Sequence, residues 1–424
     1  MKKVALETIG CRLNQYETER LAVQLTKLGL NRVDFDADAD LYIINTCTVT
    51  GRADASCRRA IARAGKNDNA KVVVIGCYVT VDSDKVAALN GVDLVVNNDE
   101  KERIPQLLQQ YFPDLFVDSF RAPESALITE FYQHNRAWVK IGDGCNQNCS
   151  YCIVPMVRGG IVNRATDEII AEINNLILSG YKEVVLTGVH IGRYKHGRLP
   201  SLTGLVEDIL NKTALARLRL SSIEPQEITS DLGKIMYDGK ERICRHLHVP
   251  LQSGSDRILE SMRRPYIIKK YLETIRMMKE KIDGLVVGAD LIVGFPGETE
   301  ADFGASVKAA SSGLIDYLHV FSYSDRPGTA ASRLPGKIHS SIIKKRNEIL
   351  HRISAENHRR ALAREIGHTV GAISEHRPEK GDSYFGITDN YLKIAIPENQ
   401  GGGKEIIRLQ VTDVIDDHLI GDLV

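Results

Sequence analysis

At 424 residues the chain exceeds what one core ordinarily holds, so two or three domains are expected. Hydrophobic residues make up 43% and charged residues 26%, a balance that excludes a disordered or fibrous chain. Basic and acidic side chains number 55 each, so net charge alone gives no support to a polyanion partner. The apolar runs are strand-length, which excludes a membrane span, and the N-terminus MKKVALETIG lacks the apolar core of a signal peptide. A cytoplasmic protein without membrane contact is expected, its eight cysteines serving metal or catalysis rather than disulfides.

Residues 1–111 alternate strand-length runs (4–8, 41–45, 72–75, 92–96) with helical patterns (17–28, 53–64, 84–89, 104–111). That alternation predicts an α/β domain built on a doubly wound parallel sheet. Residues 112–134, with Pro113 and Pro123, read as a linker. From 135 to 366 the alternation resumes, with strands at 138–141, 184–187, 218–221, 246–251, 286–293 and 317–321. Helical patterns fall at 167–178, 202–210, 271–281 and 300–311. Six β/α units predict a partial (β/α)6 barrel, closed off by one long helix over 338–366. Residues 337–364 carry eight basic side chains against two acidic ones. The last segment, 367–424, has short alternating strands with glycine turns and predicts a small β-barrel, with ten acidic and five basic side chains from 368 on.

Six cysteines fall into two sets of three. Cys11, Cys47 and Cys77 each follow a predicted strand (VALETIGC, LYIINTC, VVVIGC), at spacings of 36 and 30 residues. The strand ends of a parallel sheet share one edge, so these three converge on a ligand-binding position; buried small hydrophobes are the plainer alternative. Cys145, Cys149 and Cys152 lie within eight residues, in GDGCNQNCSYC. Structural zinc would need a fourth ligand there, such as His134 or His190. An iron–sulfur cluster could instead keep one iron open. Cys57 and Cys244 fit neither spacing and receive no ligand role.

The spacing C-x3-C-x2-C, with Tyr151 before the last cysteine, resembles the radical S-adenosylmethionine (SAM) superfamily. The resemblance implies a [4Fe-4S] cluster on Cys145, Cys149 and Cys152, its fourth iron chelated by SAM. Further segments agree: VLTGV at 185–189, SSIEP at 221–225, HVPLQSGS at 248–255 and GADLIVGFPGE at 288–298. Each puts glycine or polar groups at a strand's carboxyl end. Tyr151, Gly188, Ser222, Glu224, Gln252 and Asp290 are therefore candidate cofactor contacts, although Asp290 reads equally as a satisfied structural carboxylate.

Across essentially the whole chain, the order of parts resembles the methylthiotransferase family. The resemblance implies a second [4Fe-4S] cluster on Cys11, Cys47 and Cys77, again with one iron free, and a TRAM-like RNA-binding barrel at the end. The stretch GCRLN at 10–14 is similar to the branch that methylthiolates N6-threonylcarbamoyladenosine next to the anticodon (position 37), with Arg12 where that branch has Lys. The implied partners are a tRNA anticodon stem-loop and an electron donor such as flavodoxin or ferredoxin. N6-isopentenyladenosine in tRNA, a ribosomal-protein aspartate, or a non-catalytic metal-containing RNA-binding protein are the alternatives. Basic side chains in 337–364 and 52–66 are the electrostatic candidates for RNA contact.

Overall fold

Short apolar strands at a βα spacing build the first sheet. β1 (Lys3–Thr8), β2 (Asn31–Val33), β3 (Leu41–Thr46), β4 (Lys71–Gly76) and β5 (Leu94–Val96) line up in the order β2-β1-β3-β4-β5, every neighbouring pair parallel. β3 is buried at all six positions because both faces of the sheet are covered. Leu6, Ile43 and Val73 pack one face with Leu21 and Leu25 of α1 (Arg12–Lys27). Ala5, Ile44 and Val74 pack the other with Ile61 and Ala64 of α2 (Gly51–Ala64), a helix capped by the Thr50 hydroxyl. β2 was not expected, since its residues Asn31 and Arg32 carry no apolar run; a three-residue edge strand needs none.

This computed structural model describes residues 1–116, 127–197, 201–375, 384–397 and 400–424; Pro123 of the expected linker lies outside them. The chain packs as two compact units. One comprises Met1–Glu130 with Asp143–Gln147 and Cys152–Val162, the other Phe131–Gly142 with Asn148–Tyr151 and Asn163–Val424. Among the described residues no helix is long and apolar enough to cross a membrane.

In the second unit six parallel strands follow in sequence order: β6 (Ala137–Lys140), β7 (Glu183–Thr187), β8 (Arg217–Leu220), β9 (His246–His248), β10 (Val286–Val293) and β11 (Tyr317–Ser322). They form two three-stranded ladders, linked between β8 and β9 by the bridges Leu218↔Ile243 and Ser222↔His248. Among the described residues β6 does not pair with β11, so the barrel is open, as predicted. β9 stops at His248, short of the expected 251, because Pro250 lacks a ladder donor and Gln252 turns the chain at φ +64°. The long helix is present as Ser340–Ala363, and residues from Thr369 onward close a five-stranded barrel.

The foot of the partial barrel is ionic. Glu183, fully buried, accepts from Arg217 Nε at 2.6 Å and Arg219 Nε at 2.7 Å. The spare guanidinium donors reach carbonyls of the terminal barrel, Arg217 to Gly371 and Arg219 to Thr388, both at 2.8 Å. Burial alone would push the Glu183 carboxyl up, but Arg219, Arg217 and Arg136 hold it well below the usual carboxylate range.

Candidate active site

Cys11, Cys47 and Cys77 stand at the carboxyl ends of β1, β3 and β4, adjacent strands of one parallel sheet. Cys11 caps the amino end of α1, and Cys77 opens the short helix α3 (Cys77–Val81). The three thiols feel one another: burial pushes Cys47 up to about 11, and Cys11 and Cys77 push the same way. Gly10, at φ +120°, keeps this edge clear, because a Cβ there would stand 2.6 Å from Cys47 Cβ and 3.1 Å from its Sγ. Asn98 Nδ2 donates to Cys77 Sγ at 3.4 Å.

A residue with no motif around it in the sequence brings a cation to the same edge. Arg158 lies six residues after Cys152, inside the first unit. It donates to Glu17 at 3.0 and 3.2 Å, to Asp143 at 3.0 and 3.1 Å, and to Asn14 at 2.5 Å. Burial would lower its pKa, but Glu17, Asp143 and the Cys77 thiol hold the guanidinium well above its ordinary value. Cys77 itself packs with Ile153 and Val157 of the segment that follows Cys152.

Cys145 also belongs to the first unit, where its N–H donates to Gly159 O at 3.0 Å and its Sγ accepts from Gln147 N at 3.3 Å. Gly144 before it has φ +69°, and a Cβ there would meet Gly160 O at 2.0 Å. In the second unit Arg264, also unforeseen, donates to Cys149 Sγ at 3.3 Å, to Tyr266 Oη at 3.1 Å, and forms an ion pair with Glu224. Ser150 pins the loop through its N–H to Met262 O at 3.0 Å and its hydroxyl to Ser261 O at 2.7 Å. Tyr151 packs against the cluster of Ile258, Met262, Phe295 and Ala331.

Zinc and an iron–sulfur cluster ask different things of three thiolates. Thiolates on one zinc ion, with Zn–S near 2.3 Å, stand about 3.8 Å apart. Among the described residues, His248, Asp290 and His319 are the only three His, Cys, Asp or Glu whose ligand atoms lie within 4.8 Å of one another. Cys11, Cys47 and Cys77, all in the first unit, are not drawn that tight, whereas a cubane offers each thiolate its own iron. His134 lies edge-on to Trp138 at 4.5 Å, and His190 pairs with Glu227 at 2.8 Å, so both rings raised as zinc ligands are engaged elsewhere.

The remaining sequence candidates line strand ends of the second unit. Gly188 allows a close approach, since a Cβ there would stand 2.8 Å from Gly142 O. Ser222 is exposed beside the bridge to His248. Burial pushes the Glu224 carboxyl up, with Arg264 opposing. Gln252 is buried, its N–H donating to Asp290 O at 2.7 Å and its carbonyl accepting from Ile292 N at 3.0 Å. A non-glycine residue held at positive φ stores strain, which collects at functional sites. The Asp290 carboxylate meets His248 Nε2 at 2.9 Å and His319 Nδ1 at 3.6 Å; burial would raise its pKa, but the two imidazoles hold it below the usual range.

Two family models match the chain: Uncharacterized protein family UPF0004 over residues 3–97 and the Radical SAM superfamily over residues 139–310. Threonylcarbamoyladenosine tRNA methylthiotransferase MtaB of Bacillus subtilis (strain 168) is 33% identical over 97% of this chain and 94% of its own length. The protein of the same name from Aquifex aeolicus (strain VF5) is 35% identical over 96% and 98%. The chain belongs to the radical SAM methylthiotransferase family. A tRNA-2-methylthio-N(6)-dimethylallyladenosine synthase from Thermodesulfovibrio yellowstonii is also similar, 31% identical over 100% of this chain and 99% of its own. Among solved structures, the radical SAM methyltransferase TsrM from Kitasatospora setae shares the fold, with TM-score 0.59 at 15% identity over 78% of this chain and 77% of its own. As a radical SAM methylthiotransferase, the chain is an enzyme that uses a [4Fe-4S] cluster and SAM.

Proposed function

We propose that this methylthiotransferase replaces the C2 hydrogen of N6-threonylcarbamoyladenosine, next to the anticodon of tRNA (position 37), with a methylthio group. The observation that carries the reading is the gathering of Cys11, Cys47 and Cys77 at one sheet edge, in the same unit as Cys145 and Cys152. We read that edge as the holder of a second [4Fe-4S] cluster, in addition to the one on Cys145, Cys149 and Cys152. When bound, the two clusters and SAM supply the sulfur, the methyl group and the radical that the reaction needs.

The chain's own residues hold and shield. Arg264 sets a positive charge against Cys149 and ties it to Glu224, so the loop after β6 and the end of β8 move as one piece. Gly188 keeps a side chain out of the space above β7, and Ser222 and Gln252 offer polar groups on the neighbouring strands. Tyr151, seated on the cluster of Ile258, Met262, Phe295 and Ala331, would wall the cofactor position from water.

The proposed division of labour gives the auxiliary cluster to residues 1–111, joined through 112–134 to SAM chemistry in 135–366, with RNA contact in the TRAM-like 367–424. Of the basic residues in 337–364, Arg346 is buried on Glu298 and Glu300, and Arg364 pairs with Asp316. Lys344, Lys345, Arg352 and Arg359 remain exposed, as do Arg52, Arg58 and Arg59 on α2, and these would meet phosphates. A cytoplasmic flavodoxin or ferredoxin would deliver the electrons.

Nucleoside mass spectrometry of tRNA from a strain lacking the gene tests the reading. The 2-methylthio derivative of threonylcarbamoyladenosine should vanish while that of isopentenyladenosine persists; the opposite pattern overturns it.

A further inference from the structure

Relatives named for threonylcarbamoyladenosine and for dimethylallyladenosine match this chain at similar identity over nearly its whole length. The fold therefore does not distinguish the two bases; individual side chains near the substituent must. The chemical difference is large. A threonylcarbamoyl group ends in a carboxylate, whereas a dimethylallyl group is hydrocarbon.

The inner face of β10 is layered. Val286 joins the core of the terminal barrel, Gly288 lies under the Tyr317 ring, Asp290 meets two histidines, and Ile292 packs on the same apolar cluster as Tyr151. Two residues along a strand advance about 6.6 Å, so the histidine layer sits one side chain below Ile292, which shares its apolar cluster with Tyr151. In adenine, C2 and C6 both flank N1, so a substituent on N6 hangs within one ring's width of the reacting carbon.

The cations of these inner layers are not equivalent. Arg217 and Arg219 are fully buried, their donors taken by Glu183 and main-chain carbonyls. His248 is buried with Nε2 on Asp290 at 2.9 Å. The side chain of His319 is 53% exposed, with Nδ1 3.6 Å from the same carboxylate. A carboxylate facing one nitrogen of an imidazole orients the ring and leaves the other to a ligand.

We propose that His319, oriented by Asp290, binds the carboxylate of the threonylcarbamoyl group and so sets the preference for that substituent over a hydrocarbon one. The inference rests on the functional reading above. Its test compares reconstituted wild type with His319→Ala, His319→Gln and His319→Lys. The substrates are anticodon stem-loops carrying threonylcarbamoyladenosine or its threonyl methyl ester, which keeps the bulk and loses the charge. Wild type should favour the acid. Both neutral variants should lose about tenfold or more in kcat/KM on the acid, chiefly through KM, and little on the ester, as expected for losing one charge-assisted hydrogen bond. The acid-to-ester ratio then collapses toward one, and His319→Lys restores part of it. Iron content and the far-ultraviolet circular dichroism spectrum should match wild type, which separates binding from folding.

An unchanged ratio in His319→Ala overturns the assignment, as does equal loss on both RNAs. Stoichiometric zinc or another divalent ion, removed with His319, would equally overturn it, making His248, Asp290 and His319 a metal site. A wild type that methylthiolates only dimethylallyl-adenosine RNA fails the functional reading itself, and this inference with it.

Discussion

The two cysteine triads are assembled by opposite routes. Cys145, Cys149 and Cys152 come from one loop, so chain connectivity alone keeps them near one another. Cys11, Cys47 and Cys77 come from three strand ends and meet only because β1, β3 and β4 are adjacent and parallel. A loop triad tolerates distant damage to the fold, while a sheet-edge triad is as good as the register of its sheet. The surroundings differ too. Cys47 is buried beside Gly10 and near the Arg158 cation, whereas the loop cysteines are half-buried and Cys149 is met by Arg264.

The sharpest way to break this comparison is to delete each triad. Replacing Cys145, Cys149 and Cys152 with Ala should abolish 5′-deoxyadenosine formation and halve the iron of anaerobically reconstituted protein. Replacing Cys11, Cys47 and Cys77 should remove the other half of the iron and all methylthio product, yet spare SAM cleavage. Full product from the second variant would end the two-cluster reading.

Next in size is Arg158→Met. Its guanidinium is nearly buried between Glu17 and Asp143, so its loss takes the cation from two carboxylates, leaving Glu17 with Lys101 and Asp143 with the Gly144 N–H. Removing one member of such a buried network costs roughly 3 kcal/mol. Urea unfolding should record that loss. If the sheet edge depends on this cation, iron at the N-terminal triad falls as well, while 5′-deoxyadenosine formation is kept.

The same contrast governs what the sequence could reveal. The loop triad is legible from spacing alone, and β1, β3 and β4 from alternating apolar runs, which together imply the sheet-edge triad. What stayed hidden were partnerships across elements. RLRL at 217–220 reads as a basic strand, and nothing local says that Glu183, 34 residues before Arg217, neutralises it. Arg158 and Arg264 sit in unremarkable stretches, VPMVRGG and MRRPY, and their partners Glu17, Asp143 and Glu224 arrive only through tertiary packing. Asp290 was legible as a polar residue in an apolar strand; its pairing with His248 and His319 requires the register of β9, β10 and β11.

Burial of Cys47 adds a pH dependence specific to the sheet edge. Its folded-state pKa of about 11, against an ordinary 9.0, means that the unfolded thiol gives up its proton first as pH rises. The stability this contributes is complete below pH 9 and lost on the way to pH 11, roughly 2–3 kcal/mol for a shift of two units. Unfolding of metal-free protein at pH 8 and pH 11 should show that loss in wild type and a smaller one in Cys47→Ala. Cluster-bound protein should not share it, because iron holds the thiolate in any case.

The finest test pairs two glycines, one at each triad. Gly10→Ala forces φ +120° on a residue with a side chain and drives its Cβ to 2.6 Å from Cys47 Cβ. A strained backbone of this kind costs on the order of 1–3 kcal/mol, and the Cys47 side chain must move to relieve it. Gly144→Ala meets the Gly160 carbonyl at 2.0 Å and φ +69°, so the loop around Cys145 must shift instead. If the triads are separately positioned, the first substitution lowers methylthio product while 5′-deoxyadenosine formation stays near wild type. The second lowers 5′-deoxyadenosine formation, and product only as its consequence. Equal loss of both products in Gly10→Ala would mean that the sheet edge and the loop share one geometry, and that connectivity protects the loop triad less than its spacing implies.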